Sequence, residues 1–215
     1  MTTLLPRAPV SPAPRPPHLR HNVLALGLDF GLFVVGISFA GQATILPAFA
    51  AHLGAPNVVI GAIPALMTVG WYLPPLFVAG YTESLSRKLP FIVRYTVWER
   101  APYLVLAAVA FTLADPAPGL SLALFLAMLL VIAATGGVLM PAWLDVVGRA
   151  IPTRLRGRFF AATSMSAGVA GLGAGLVTAW LLATVPAPRG YGICFVIAPL
   201  FLGLSYVALA TVKEP

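Results

Sequence analysis

Long apolar runs separated by short polar stretches make up most of the chain. Six runs of about 20 residues or more lie between charged residues or clusters of proline and glycine. A helix of about 20 residues, rising about 1.5 Å per residue, crosses a hydrocarbon layer of about 30 Å. The pattern therefore predicts six transmembrane helices, at about 23–50, 58–80, 91–113, 119–145, 159–184 and 190–211.

The first 22 residues differ from the rest because they combine six prolines with three arginines. A segment of this composition stays extended and solvated, so residues 1–22 are predicted to be a disordered tail. Residues 23–215 are predicted to form the transmembrane domain. The apolar run that follows the tail is longer than the core of a signal peptide, which favours an uncleaved signal anchor.

Composition excludes two other classes of protein. Hydrophobic residues make up 60% of the chain and charged residues 9%, whereas a water-soluble domain has about 25% charged residues. A disordered chain would have low hydrophobicity. The single cysteine, Cys194, allows neither an intrachain disulfide nor a cysteine-based metal cluster.

The basic residues predict an orientation in the membrane. The chain has 13 Lys and Arg against 6 Asp and Glu, for a net charge of +7. Ten of the basic residues fall in the tail and in alternate connections, and only Arg189 falls in the others. Because short cytoplasmic loops are rich in Lys and Arg, both termini are predicted to be cytoplasmic, in a multi-pass protein of the plasma or inner membrane. The positive charge is then a topology signal, and no nucleic-acid partner is expected.

A weak internal repeat relates the two halves of the chain. Leu-Pro-Ala-Phe at 46–49 corresponds to Met-Pro-Ala-Trp at 140–143, and Gly54 and Gly148 share the same separation of 94 residues. The first predicted helix runs outward and the fourth inward, so a 3+3 repeat would have inverted topology. This layout resembles each six-helix half of a major facilitator superfamily transporter.

The connection after the second run is similar to a motif of that superfamily, Gly-x-Leu-Ala-Asp-x-x-Gly-Arg-Lys. Aligning Ala79 with its first position places Glu83 on the acid, and Arg87 and Lys88 on the basic pair. Ala79 and Ser86 stand where the motif has glycine. An ordinary cytoplasmic loop would carry the same basic charges, and that interpretation stays open.

The connection after the fourth run also resembles the superfamily. Asp145 near the helix end precedes Pro152, an Arg-Gly turn at Arg156 and a helix rich in small residues. Asp145 and Arg149 are four residues apart and can pair on one helix face. In the fifth run, Gly171 and Gly175 form a GxxxG pattern, which favours close helix packing in lipid.

The resemblance implies a function and its partners. Such transporters are secondary carriers that work by alternating access, with a small-molecule or ion substrate held between two six-helix halves near the bilayer midplane. We expect this chain to be the amino-terminal half of a longer or truncated product, with a homodimer as the second way to supply the other half. No enzymatic activity, metal or cofactor is expected. The alternative is a six-helix scaffold or assembly protein that does not transport.

Charged residues inside the third run are the main candidates for a site. Residues 101–114 span only about 21 Å as a helix, so Glu99 and Arg100 must enter the membrane. Asp29 on the first helix lies at nearly the same depth. Because lone charges at this depth are unfavourable, we expect Asp29, Glu99 and Arg100 to form a buried polar cluster. The cluster is either a proton- or ion-coupling site or a structural brace between helices 1 and 3.

Uncharged side chains supply weaker candidates for a substrate path: Gln42, Trp71, Tyr72 and Ser164. Each has a competing structural explanation. Serine often bonds to its own helix backbone, and Trp and Tyr are common at membrane interfaces.

Overall fold

The structure, a computed structural model, describes residues 18–214, which form ten helices and contain no strand. In chain order they are α1 (Leu19–Ser38), α2 (Ile45–His52), α3 (Asn57–Tyr72), α4 (Pro74–Ser84), α5 (Leu89–Tyr95), α6 (Val97–Arg100), α7 (Pro102–Thr112), α8 (Pro118–Ala150), α9 (Thr153–Thr184) and α10 (Arg189–Ala210). Most of the predicted tail, residues 1–17, lies outside the described residues. Helix α1 begins at Leu19, four residues before the predicted boundary.

Within residues 18–214, five helical segments are long and apolar enough to cross a membrane. They are Leu19–Ser38, Asn57–Ser84, Pro118–Ala150, Thr153–Thr184 and Arg189–Ala210. The all-α, membrane-type architecture is therefore confirmed. The sixth predicted span, in the third apolar run, is divided among the shorter helices α5, α6 and α7.

The break before α7 in the third run has a local cause. Pro102 has no backbone N–H to donate to the carbonyl four residues earlier, so the hydrogen-bond ladder is interrupted there. Thr96 and Ala101, which separate the three short helices, nevertheless keep right-handed helical dihedral angles. Residues 89–112 thus form an irregular helical segment.

The first and second runs are also interrupted. The chain makes turns at 39–44 between α1 and α2, where the N–H groups of Phe39 and Ala40 bond to carbonyls three residues back. Helix α4 begins with Pro74 and Pro75, directly after the end of α3. Leu73, which lies between the two helices, keeps helical dihedral angles, so this break is slight.

Helices α8 and α10 carry most of the packing. Helix α8 contacts α3 and α4 as well as α5, α6 and α7. Helix α10 packs against α1 and α7, and α9 packs mainly against α1. Helix α9 exposes large apolar side chains along its length, as a lipid-facing helix does: Met165, Val169, Leu172, Leu176 and Trp180.

Close contact between α3 and α8 requires glycine on both helices. A Cβ atom at Gly137 would overlap the carbonyl oxygen of Gly70 and lie 3.0 Å from that of Trp71. Pro74 and Pro75 cannot donate to these two carbonyls in the usual helical pattern. The bare backbone of α8 therefore packs directly on the part of α3 where the ladder is incomplete.

Two apolar clusters fill the interior. The larger contains Phe49, whose ring packs edge-on against Phe125 at a centroid distance of 5.4 Å. The smaller contains Leu26 on α1 and Val146 on α8, both fully buried. Buried polar residues lie between the two clusters, as described below.

Contacts among connections define the two ends of the bundle. At the end nearer the smaller cluster, which we call the basic end, Asn22 at the start of α1 exchanges hydrogen bonds with the backbone of Lys213 after α10, at 2.8 and 2.9 Å. At the opposite end, His52 after α2 lies 4.0 Å from Asp115 in the α7–α8 connection and beside the ring of Tyr191 at the start of α10.

Candidate functional site

Asp29, Glu99 and Arg100 meet between the two apolar clusters. Asp29 lies about three turns from the start of α1, and Glu99 and Arg100 lie on α6. All three are buried, with 4%, 7% and 8% of their surface exposed. The structure therefore brings together the three charged residues whose clustering was predicted from their positions along the helices.

Asp29 is held by three groups from other helices. Its Oδ1 accepts a hydrogen bond from the hydroxyl of Ser205 on α10 at 2.7 Å and lies 3.5 Å from Nη2 of Arg100. Its Oδ2 accepts from the indole N–H of Trp143 on α8 at 2.9 Å. The carboxylate thus joins α1 to α6, α8 and α10.

Arg100 directs its donors towards α10. Its Nε donates to the carbonyl oxygen of Leu202 at 3.0 Å, and its Nη2 donates to Ser205 at the same distance. The guanidinium carbon lies 5.5 Å from the ring centre of Phe33, a cation–π geometry. Its Nη1 is buried and has no hydrogen-bond partner among the described residues.

Glu99 completes the cluster on the side away from Asp29. Its Oε2 accepts from the hydroxyl of Thr96 at 3.3 Å and lies 3.7 Å from Nη1 of Arg100. Its Oε1 packs against α8 at Gly136, where an added Cβ would lie 2.7 Å away. Two carboxylates share one guanidinium group, so the ionised cluster carries one excess negative charge.

Two cavities border the cluster. The smaller, of about 100 Å³, is lined by all three charged residues and by Trp143. The larger, of about 490 Å³, is lined mainly by α1, the turn that follows it and α3, and it reaches the cluster only at Glu99. Glu99, Phe33 and Trp71 line both cavities. Glu99 is therefore the charged group at which the larger cavity meets the buried cluster.

Three of the four candidate path residues lie together. Gln42, Trp71 and Tyr72 line the larger cavity. Ser164 does not; it lies exposed on α9 and lines neither cavity. The sequence pattern does not say which face of a uniformly apolar helix points inward, and for α9 the serine is on the outer face.

At the basic end, Asp145 joins two basic residues. Its Oδ2 lies 3.0 Å from Nζ of Lys88 and 2.9 Å from Nη2 of Arg149, one helical turn along α8. Arg149 also donates from Nη1 to the carbonyl oxygen of Ser86 at 3.1 Å. These contacts tie the α4–α5 connection to the end of α8.

Glu83 does not take part in this network. It is exposed on α4, and no ion pair to it occurs within residues 18–214. The basic pair instead contacts Glu214, which lies 3.9 Å from Arg87. Glu214 also accepts from the backbone N–H groups of Lys88 and Leu89 at 2.8 and 3.0 Å, so it caps the start of α5. The acid that the motif alignment selected is therefore not the one in contact.

Arg156 donates hydrogen bonds to carbonyl groups at the α8–α9 connection. Its Nε donates to the carbonyl oxygen of Ile151 at 2.9 Å, and its Nη2 donates to that of Gly148. Both acceptors are at or beyond the end of α8, where helix carbonyls lack intrahelical partners. Arg156 thus acts as a C-terminal cap in the structure.

Sequence reasoning missed Ser205, Trp143 and Thr96 as members of the buried cluster. Ser205 and Asp29 are 176 positions apart, and nothing local marks the pairing. Within residues 18–214, no group of three or more His, Cys, Asp and Glu side chains is placed to hold a metal ion.

Comparison with known proteins identifies no relative of this chain. No protein-family model, curated protein or solved structure matches this chain. Function must therefore be argued from the site itself.

Proposed function

We propose that this chain serves secondary active transport of a small solute by alternating access, as one six-helix half of a transporter of the major facilitator type. The observation that carries the proposal is the cavity of about 490 Å³ that ends on Glu99 of the buried charge cluster. An ionisable side chain at membrane depth that faces a cavity is a typical component of a substrate or ion path.

The energetics of charge burial support a role beyond packing. Burying charges in lipid is unfavourable even when they are paired, and an apolar brace of equal volume is often as stable. The cluster has two acids for one base, so one proton or one cation would neutralise it. A coupling site needs that property, because it must exchange a charge during each transport cycle.

Six crossings are part of the proposal. Residues 89–112 span about 36 Å if the irregular segment is counted as one helix, which is enough to cross the hydrocarbon layer. Its two ends are consistent with this, since Lys88 contacts the basic end at Asp145 and Asp115 lies near His52 at the opposite end. The basic end would face the cytoplasm.

The inverted 3+3 repeat belongs to the proposal as well. The two repeated glycines differ in conformation, because Gly54 has a positive φ of 79° after α2 whereas Gly148 lies inside α8. The support for the repeat is therefore the alternation of helices between the two ends of the bundle. A second six-helix half, from the same longer chain or from a second copy, would rock against this one.

Ion-coupled flux through the full-length gene product in proteoliposomes tests the proposal. We expect uptake of at least one solute, in a panel of sugars, amino acids, organic cations and organic anions, to follow an imposed proton or sodium gradient. Absence of gradient-driven uptake for every class would contradict transport and favour the scaffold.

The Asp29→Asn variant distinguishes coupling from bracing in the same assay. If Asp29 exchanges the coupling ion, this variant abolishes the dependence of uptake on the gradient. An unchanged dependence together with lower expression would assign Asp29 to a brace. Asp115→Asn is the matched control, because Asp115 is exposed at the opposite end and its side chain is 74% accessible.

A further inference from the structure

The larger cavity has an unusual balance of charge. Among residues 18–214, its lining contains one acid, Glu99, and no basic side chain. Arg100, the nearest base, is turned towards α10 by its bonds to Leu202 and Ser205 and does not line this cavity. A ligand in the cavity would therefore meet the Glu99 carboxylate directly, while the cation paired with that carboxylate, Arg100, lies outside the lining.

Two hydroxyl groups of the cavity lining, those of Ser38 and Thr68, are oriented by their own helices. The hydroxyl of Ser38 donates to the carbonyl of Val34 at 2.7 Å, and that of Thr68 donates to the carbonyl of Pro64 at 2.8 Å. Because each hydroxyl proton is used within its own helix, only oxygen lone pairs remain for a ligand. These two side chains can accept from a donor group of a ligand, and the amide of Gln42 can both donate and accept.

Aromatic rings form much of the wall. Trp71, Tyr72 and Tyr103 line the cavity together with Glu99; Tyr103 is buried, Trp71 is half-buried and Tyr72 is 74% exposed. Aromatic faces attract cations, and the attraction increases where water is excluded. The volume of about 490 Å³ is in the range of cavities that hold drug-sized molecules.

We propose that the larger cavity binds an organic cation with apolar or aromatic substituents, with Glu99 as the counter-ion and Trp71, Tyr72 and Tyr103 as the surrounding wall. This inference rests on the proposed transport function and names its substrate class. One positive charge on the ligand would also balance the excess negative charge of the buried cluster.

Equilibrium binding to the purified chain in lipid nanodiscs tests the proposal. The probe is radiolabelled tetraphenylphosphonium, with empty nanodiscs subtracted to remove partition into lipid. Tetraphenylborate is the matched probe, because it has nearly the same size and shape with the opposite charge. We expect saturable binding of tetraphenylphosphonium and no saturable binding of tetraphenylborate.

Three variants locate the binding. Glu99→Gln removes the charge with little change in volume and should weaken binding of the cation by about tenfold or more. Trp71→Leu should weaken it by about five- to tenfold while leaving all three charged side chains of the cluster in place. Glu83→Gln removes the same charge from the exposed face of α4 and should leave the affinity unchanged.

Several outcomes would overturn the proposal. These are equal binding of both probes, no saturable binding of the cation, or undiminished affinity in both Glu99→Gln and Trp71→Leu. If Glu99→Gln fails to fold, the Trp71→Leu result decides alone. Gradient-driven uptake of another solute without cation binding would reject only the substrate class, whereas cation binding without any driven uptake would reject only transport.

Discussion

Arg100 links three helices at the level of single atoms. Its guanidinium group contacts Asp29 on α1 and both Leu202 and Ser205 on α10, while its own helix supplies Glu99. Removing one partner of such a buried pair leaves the other charge without compensation, which is more unfavourable than losing both. Asp29 and Arg100 should therefore depend on each other energetically.

A double-mutant cycle measures this dependence. Asp29→Asn or Arg100→Met alone should lower the free energy of unfolding by about 3–5 kcal/mol. The double variant should lose less than the sum of the two, with a coupling energy of about 1–3 kcal/mol. The measurement is unfolding of the purified chain in mixed micelles by titration with dodecyl sulfate. Additive losses would show that the two side chains do not interact.

The meeting of Asp29 and Arg100 could be predicted from the sequence, but the other donors to Asp29 could not. Counting along apolar helices placed Asp29 and Arg100 at one level, because the rise per residue is fixed. The donors to Asp29 come from Trp143 and Ser205, 114 and 176 positions away, and depend on how α8 and α10 are rotated. Uniformly apolar helices carry little information about rotation.

At the scale of helices, small residues decide how closely neighbours approach. Gly70 and Gly137 allow backbone contact between α3 and α8, beside the wall of the larger cavity. In the predicted GxxxG pattern of α9, a Cβ at Gly171 would lie 3.2 Å from the Ser38 hydroxyl oxygen, but one at Gly175 would have no neighbour within 4 Å. The pattern identifies a helix that can pack closely without identifying which glycines do so.

Substituting single glycines tests the α3–α8 contact. Gly137→Ala should lower the free energy of unfolding by about 1–3 kcal/mol, because the added methyl group overlaps the Gly70 carbonyl. Gly173→Ala is the matched control on α9, where the added methyl group meets open space. The control should be neutral or more stable by up to about 1 kcal/mol, since alanine favours the helix. Equal effects of the two substitutions in thermal unfolding would contradict the contact.

Helix breaks were only partly predictable. Proline marks the interruptions at Pro74 and Pro102, for a covalent reason that holds in any fold. The turn at 39–44 follows no proline, and the apolar run continues through it. Tertiary packing of Phe39 and Leu46 into the larger cluster accompanies that break.

At the scale of the whole molecule, polar contacts gather at two ends and in one layer between them. The basic end holds Asp145 with Lys88 and Arg149, and Glu214 with the start of α5. The intervening layer holds the buried charge cluster. An arrangement of polar ends, apolar zones and a single charged layer fits a bilayer with one functional depth.

Glu99 and Arg100 lie at membrane depth only if the third apolar run crosses the bilayer, so the sidedness of its two ends is the most direct test of the proposed function. Single cysteines are introduced in a Cys194→Ala background, one in or beside each connection and one after α10. Labelling by a membrane-impermeant maleimide then reports on which side of the membrane each position lies. The positions are Pro56, Ser86, Asp115, Arg154, Pro186 and Lys213, all exposed in the structure. We predict that cysteines at 56, 115 and 186 are labelled in intact cells and those at 86, 154 and 213 only after permeabilisation. Labelling of positions 86 and 115 from the same side would contradict the account.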